Sequence, residues 1–176
     1  MSILEEKLKE CRASQEFVEI YRDRLTHEAL LMRVLQHSSH VVIGQRVDDV
    51  HGVDGLVALR VSDVTRLKRG GRELAGARTD LPKAEPLDSF ALLELTSALT
   101  LLQKRYGYAS VYTERLDSGV CFIGEHGELD DDFVVLNVYG TFKSLDRYEL
   151  IIPTPEITRV EAGGQYESEL MRRFER

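Results

Sequence analysis

The densest chemistry-bearing stretch of the chain is Arg66, Lys68, Arg69 and Arg72, interrupted by Gly70 and Gly71. Guanidinium forks suit phosphate oxygens, and glycines let a backbone approach closely, so these residues form a candidate phosphate or RNA contact. The competing reading is a solvated strand end whose long side chains cover apolar surface. Tyr21 and Tyr112 could stack on bases, although packing explains them equally well. His37 and His40, in HSSH, have a usable metal-ligand spacing with His51 further along, yet no Cys or carboxylate nearby in sequence completes a set. The acidic run Asp130, Asp131 and Asp132, with Glu125 and Glu128, lacks the alternating oxygens and fixed glycine of a calcium loop, so it reads as a solvated hairpin. Cys121 and His126 do not make a catalytic pair on this reading, because the position of Cys121 belongs to a strand. There is no phosphate-binding glycine loop, dinucleotide fingerprint or nucleophile elbow. No catalytic residue, metal or cofactor is therefore expected.

These groups must be positioned by a chain of 176 residues carrying 23 Lys and Arg against 30 Asp and Glu, a formal charge of −7. The acidic balance argues against broad, non-specific nucleic-acid binding, though not against a local basic patch. No apolar run approaches the ~20 residues needed to span a bilayer. The polar start MSILEEKLKE and only two cysteines, Cys11 and Cys121, lead us to expect a cytoplasmic protein with reduced thiols.

The sequence repeats itself. FVEIYRDRL at 17–25 matches YASVYTERL at 108–116 at an offset of 91, with Tyr21, Arg24 and Leu25 recurring as Tyr112, Arg115 and Leu116. The same offset pairs Leu4 with Leu95, Leu8 with Leu99 and Cys11 with Leu102, and it would pair Leu30 with Cys121. Further along the offset is 93: Val41, Val42 and Ile43 align with Val134, Val135 and Leu136, and DVTRLKRGG at 63–71 with EITRVEAGG at 156–164. Each copy opens with an amphipathic helix, its stripe Leu4, Leu8 and Cys11, or Leu92, Leu95, Leu99 and Leu102. Asp88 or Ser89 is the expected cap of the second helix, and Gly107 suits its end.

A period of two then predicts five strands per copy: 17–25, 28–36, 40–49, 55–61 and 64–69, then 108–116, 119–126, 133–142, 147–153 and 157–161. HSS at 37–39 and HGELDDD at 126–132 read as hairpin tips. Residues 72–87, with Pro82 and Pro86, have linker chemistry. QYESELMRRFER is expected to be a short helix with Tyr166, Leu170 and Phe174 on one face, REL at 72–74 being its reduced counterpart. The expected organisation is copy one at 1–74, a linker at 75–87, and copy two with a C-terminal helix at 88–176.

A helix followed by five short, bent strands, together with DGLVALRVSDVTRL at 54–67 and RGG at 69–71, resembles the Sm-like (LSm) small β-barrel family, once per copy. The resemblance implies a mainly β fold of two tandem five-stranded, SH3-type barrels, each preceded by a helix. Arg69-Gly70 looks like the family's glycine after an arginine; copy two has Ala162-Gly163 there. The family's Asp followed by a base-contacting Asn would fall in HSSHVVIG and DDDFVVLN, where only copy two keeps the aspartates and neither has the Asn. Family members form rings by pairing the fourth strand of one barrel with the fifth of the next, which implies self-association through edge strands. The expected function is a non-enzymatic binding module, with RNA engaged through Arg66, Lys68, Arg69, Gly70 and Arg72. The alternative is a protein-interaction or assembly module that has lost RNA binding.

Overall fold

A computed structural model describes residues 2–48, 52–71, 74, 81–82, 87, 94–141, 143–144 and 146–174. In chain order its elements are α1 (Ile3–Ser14), β1 (Phe17–Tyr21), β2 (Leu30–His37), β3 (Val41–Val47), β4 (Val53–Arg60), β5 (Arg66–Arg69), α2 (Leu95–Tyr106), β6 (Ala109–Tyr112), β7 (Cys121–Leu129), β8 (Phe133–Val138), β9 (Tyr148–Pro153), β10 (Arg159–Ala162) and α3 (Gln165–Phe174). One-turn 3₁₀ segments at Val61–Asp63 and Thr154–Glu156 occupy equivalent places, between the fourth and fifth strands of each half.

Local chemistry explains the helices. Ser2 and Glu5 form a reciprocal capping box at the start of α1, and Leu8 and Cys11 are fully buried on its inner face. Gly107 ends α2 in the left-handed conformation, at φ 81°. The expected cap residues Asp88 and Ser89, as well as Leu92 and most of the 75–87 linker, lie outside the described residues. In α3, Leu170 is buried whereas Tyr166 is largely exposed.

The strands form a single antiparallel sheet of ten, in the order β5-β1-β2-β3-β4-β10-β6-β7-β8-β9. This corrects the expectation of two separate barrels: the sheet is open and continuous. The fourth strand of the first half hydrogen-bonds to the fifth strand of the second, with Leu59 opposite Arg159, Ala58 opposite Val160, Val57 opposite Glu161 and Leu56 opposite Ala162. Within each half the order is nevertheless the same, 5-1-2-3-4, so the duplication is visible in the topology. The largest core cluster belongs to both halves: Val41, Ile43, Leu56 and Ala58 of the first pack with Ala98 and Leu101 of α2 and with Val160 and Ala162. A second cluster, centred on Val18, Ile20, Met32, Val42, Val57 and Leu59, sits beneath Leu8 and Cys11 of α1.

The ladders also refine the alignment of the copies. Ile20 pairs with Leu30 and Val111 with Phe122, so Leu30 corresponds to Phe122 and not to Cys121. Val42 pairs with Leu59 and Val134 with Ile152, so Val42 corresponds to Val134. The extra residues of copy two are therefore taken up one at a time, not in one loop. The strands expected at 17–25 and 108–116 stop at Tyr21 and Tyr112. There the chain enters matching turns, closed by Leu25 N–H to Arg22 C=O and Leu116 N–H to Thr113 C=O. β7 runs on to Leu129 across an irregularity between His126 and Leu129, so only Asp130–Asp132 forms the hairpin tip.

Candidate functional site

Arg66, Lys68 and Arg69 lie on β5, a four-residue strand at one edge of the sheet. Pairing with β1 sets them beside Glu19, the flanking Glu16 and Asp23, and the end of α1. Arg66 grips Asp23 through two hydrogen bonds, of 2.6 and 2.9 Å, and lies 4.1 Å above the Tyr21 ring. Lys68 is 3.0 Å from Glu19, which also accepts the Tyr21 hydroxyl at 2.6 Å. Arg69 pairs with Glu16 at 2.6 Å and with Glu10, and Glu10 in turn holds Lys7 at 2.7 Å. Among the described residues four cations (Lys7, Arg66, Lys68 and Arg69) thus face four carboxylates (Glu10, Glu16, Glu19 and Asp23), so their formal charges balance. The Arg66 guanidinium and the Thr65 hydroxyl hold the Asp23 carboxyl down to about 2. The Tyr21 hydroxyl and Lys68 lower Glu19 likewise. Gly70 and Gly71 have φ of 73° and 94°, and a Cβ on either would meet nothing within 4 Å. They turn the chain without bringing it close to another group. Arg72 lies outside the described residues.

The second half holds the same constellation, but buried. Arg159 stacks 3.7 Å from the Tyr112 ring, and the Thr158 hydroxyl donates to Glu114 at 2.8 Å, as Thr65 does to Asp23. The tyrosines that could have stacked on bases are stacked by the chain's own arginines. Here Glu114 receives a further guanidinium: Arg22 of the first half, 0% exposed, reaches it with two hydrogen bonds, one of them 2.9 Å long. Burial opposes the Glu114 charge. Arg22, Arg159 and the Thr158 hydroxyl outweigh that cost and keep the carboxyl below its ordinary range. Around it, Arg46 pairs with Glu161 at 2.7 Å, Arg115 with Asp63 at 2.8 Å, and Arg60 donates to the Ile157 and Thr154 carbonyls at 3.0 and 2.8 Å.

Sequence reasoning missed this junction. Its signal is a break in the repeat, since Arg22 stands where the second copy has Thr113, between residues that otherwise recur.

The other candidates separate. His37 is half-buried and His40 exposed on one hairpin, and His51 lies outside the described residues. Among the described residues no group of three His, Cys, Asp or Glu is placed to hold a metal ion. Asp130 accepts the backbone N–H groups of Asp132 and Phe133, at 2.9 and 2.7 Å, and so shapes its own turn. The Asp132 carbonyl receives the Thr154 N–H, tying the tip to the end of β9. Burial raises both the Cys11 and the Cys121 thiols, which leaves neither activated as a nucleophile. A cleft of about 390 Å³ opens beside β9, lined by Glu125, Asn137, Tyr139, Arg147, Tyr148 and Glu149. In the first half Arg33 and Gln45 stand where Glu125 and Asn137 do, and there the Pro82 carbonyl fills the place, accepting from Gln45 at 2.9 Å. No described helix is long and apolar enough to cross a membrane. No protein-family model matches the chain, and neither does any curated protein or solved structure.

Proposed function

We propose that this chain is a non-enzymatic interaction module which takes up partners by adding strands at an edge of its sheet. The observation that carries this reading is the β4–β10 junction. It joins two repeat units edge to edge through main-chain hydrogen bonds, and the resulting sheet still ends in two edge strands, β5 and β9. Strand addition is a general recognition mode in which backbone bonds supply affinity and side-chain pockets supply choice. The balanced charges around Arg66, Lys68 and Arg69 favour this over RNA binding through the basic strand.

The test is a fluorescence-anisotropy titration against short RNAs of mixed sequence at low and moderate salt, with Arg69→Ala in parallel. The expected result is no saturable binding at micromolar protein, and identical traces for the variant. Saturable, salt-dependent binding that Arg69→Ala weakens would replace this reading with an RNA-binding one.

A further inference from the structure

The two free edges of the sheet differ in a way that bears on the partner. Native sheets guard an edge by keeping it short and placing charges along it. β5 does both, with four residues of which Arg66, Lys68 and Arg69 are charged. β9 is less guarded: it is six residues long, reads YELIIP, and carries a single charge, Glu149, with Pro153 at its end. Tyr148 and Ile151 on it are 46% and 58% exposed, and Phe133 on the adjoining β8 is 48% exposed. The ladders make Phe133 and Ile151 the counterparts of Val41 and Ala58, since Val41 pairs with Arg60 and Phe133 with Pro153. Val41 and Ala58 are fully buried by the internal junction. The surface with which the first half holds the second is thus left uncovered at the far end of the second.

The β5 end of another copy does not complement it. By the repeat, Lys7 and Glu10 stand where α2 presents Ala98 and Leu101, so an ion pair would meet Ile151 in place of an apolar helix face. The arginines that clamp the internal junction are also missing from the β9 side, where Arg22, Arg46 and Arg60 have become Thr113, Val138 and Pro153. Across from them, Lys68 replaces Glu161. Of the cross-junction ion pairs, only the counterpart of Arg115–Asp63, Arg24 with Glu156, keeps both partners in that arrangement.

We propose that the β9 edge binds the β9 edge of a second copy, antiparallel about a two-fold axis at Leu150, an inference that rests on the edge-addition reading above. In this register Leu150 faces its own twin, and Tyr148 faces Ile152 of the other copy, so the apolar residues on the inner face pair with apolar residues. Glu149 is set away from its own counterpart and comes opposite Ile151 of the other copy, so the apolar contact is made by the inner face alone. Arg147 comes opposite Pro153, beside the acidic tip Asp130–Asp132 that packs against the strand end, and symmetry makes this contact twice. An isologous contact closes on itself, so assembly stops at the dimer.

Sedimentation equilibrium of the full chain over a wide concentration range tests this. The expected result is a reversible species of twice the 20.0 kDa chain mass and nothing larger. Tyr148→Asp and Arg147→Asp should each weaken the dimer at least about tenfold, in line with the loss of a central interface side chain used twice. Asp132→Arg combined with Arg147→Asp should restore it, and Lys68→Glu should leave it unchanged. Circular dichroism checks that each variant is folded, which the exposure of these side chains favours. A strict monomer, growth beyond the dimer, sensitivity to Lys68→Glu or failure of the charge swap to rescue would each overturn the two-fold contact. The outcomes are separable from those of the broader reading: RNA binding through Arg69 would remove that reading with the dimer intact, and a monomer that ignores RNA would remove only the dimer.

Discussion

Replacing Glu114 by glutamine should be among the most destabilising single changes this protein can suffer without a cavity being made. The side chain is 1% exposed and faces two guanidiniums, Arg22 with two hydrogen bonds and Arg159 at 3.5 Å. A neutral amide leaves Arg22 buried without a counter-charge and leaves Arg159 with only Glu161, at 3.5 Å. Breaking a buried pair in this way costs about 3–5 kcal/mol, a large fraction of the ~5–15 kcal/mol that holds a domain folded. Arg22→Met should cost less, because Glu114 keeps Arg159 and the Thr158 hydroxyl and a flexible apolar chain fills the volume. The double variant leaves only Arg159 to compensate, which Glu161 approaches at 3.5 Å, so its loss should fall short of the sum by about 1–3 kcal/mol. Urea unfolding followed by circular dichroism, with slopes compared across the set, measures all three. Because Arg22 and Glu114 come from different halves of the chain, the two halves should lose structure in one transition. A Glu114→Gln loss under about 1 kcal/mol, the worth of an ordinary hydrogen bond, would refute the reasoning, as would additive single changes.

Glycine substitutions should separate the junction from the basic loop. Gly55 has φ of 76°, and a Cβ there would lie 2.3 Å from the Ala162 carbonyl of β10, so Gly55→Ala should cost more than about 2 kcal/mol in urea unfolding. Gly70→Ala, with φ of 73° and open space around it, should cost only about 1–2 kcal/mol for the left-handed backbone. Burial raises the Glu167 carboxyl, whose oxygen accepts the Ser110 hydroxyl at 2.8 Å. The stability it lends is therefore full below the ordinary glutamate range of ~4.3 and is lost as pH rises through the raised value. Thermal melts should show Glu167→Gln gaining on the parent between pH 4 and pH 8 (~4 and ~8, bracketing that range), and a pH-independent difference would count against this. Asp23 behaves in the opposite sense. Its carboxyl is lowered to about 2, so its contribution is present above the ordinary aspartate value of ~3.9 and disappears as pH falls through about 2. Asp23→Asn should match the parent in strong acid, and its deficit at neutral pH should shrink in high salt, as an exposed pair requires.

Much of the local structure was legible because it rests on local rules. Alternation placed every described strand within a few residues, and the apolar stripe Leu4, Leu8 and Cys11 marked a helix buried on that side. The ends of β1 and β6 were overshot because Leu25 and Leu116 continue the apolar pattern into turns set by backbone hydrogen bonds, which periodicity does not register. The copies were misaligned by one residue at Cys121 for a similar reason, since only ladder pairing fixes which residues face each other.

Arg22 and Arg24 show where the reading of the site stops. Two residues apart and chemically identical, one is wholly buried against Glu114 and the other is exposed. What separates them is a carboxylate 92 residues away in sequence. Likewise, the basic stretch looked cationic because its neutralising partners, Glu10, Glu16, Glu19 and Asp23, come from an earlier helix, strand and turn that the sheet folds against it. The sequence alone determined the elements, their duplication and the candidate groups, since these depend on spacing between near neighbours. Only the tertiary structure decided that β4 joins β10 into one open sheet, which charges are compensated, and which edge is left apolar. Strand edges pair through backbone groups that every residue carries, so the choice of partner is written in long-range packing and not in any local pattern.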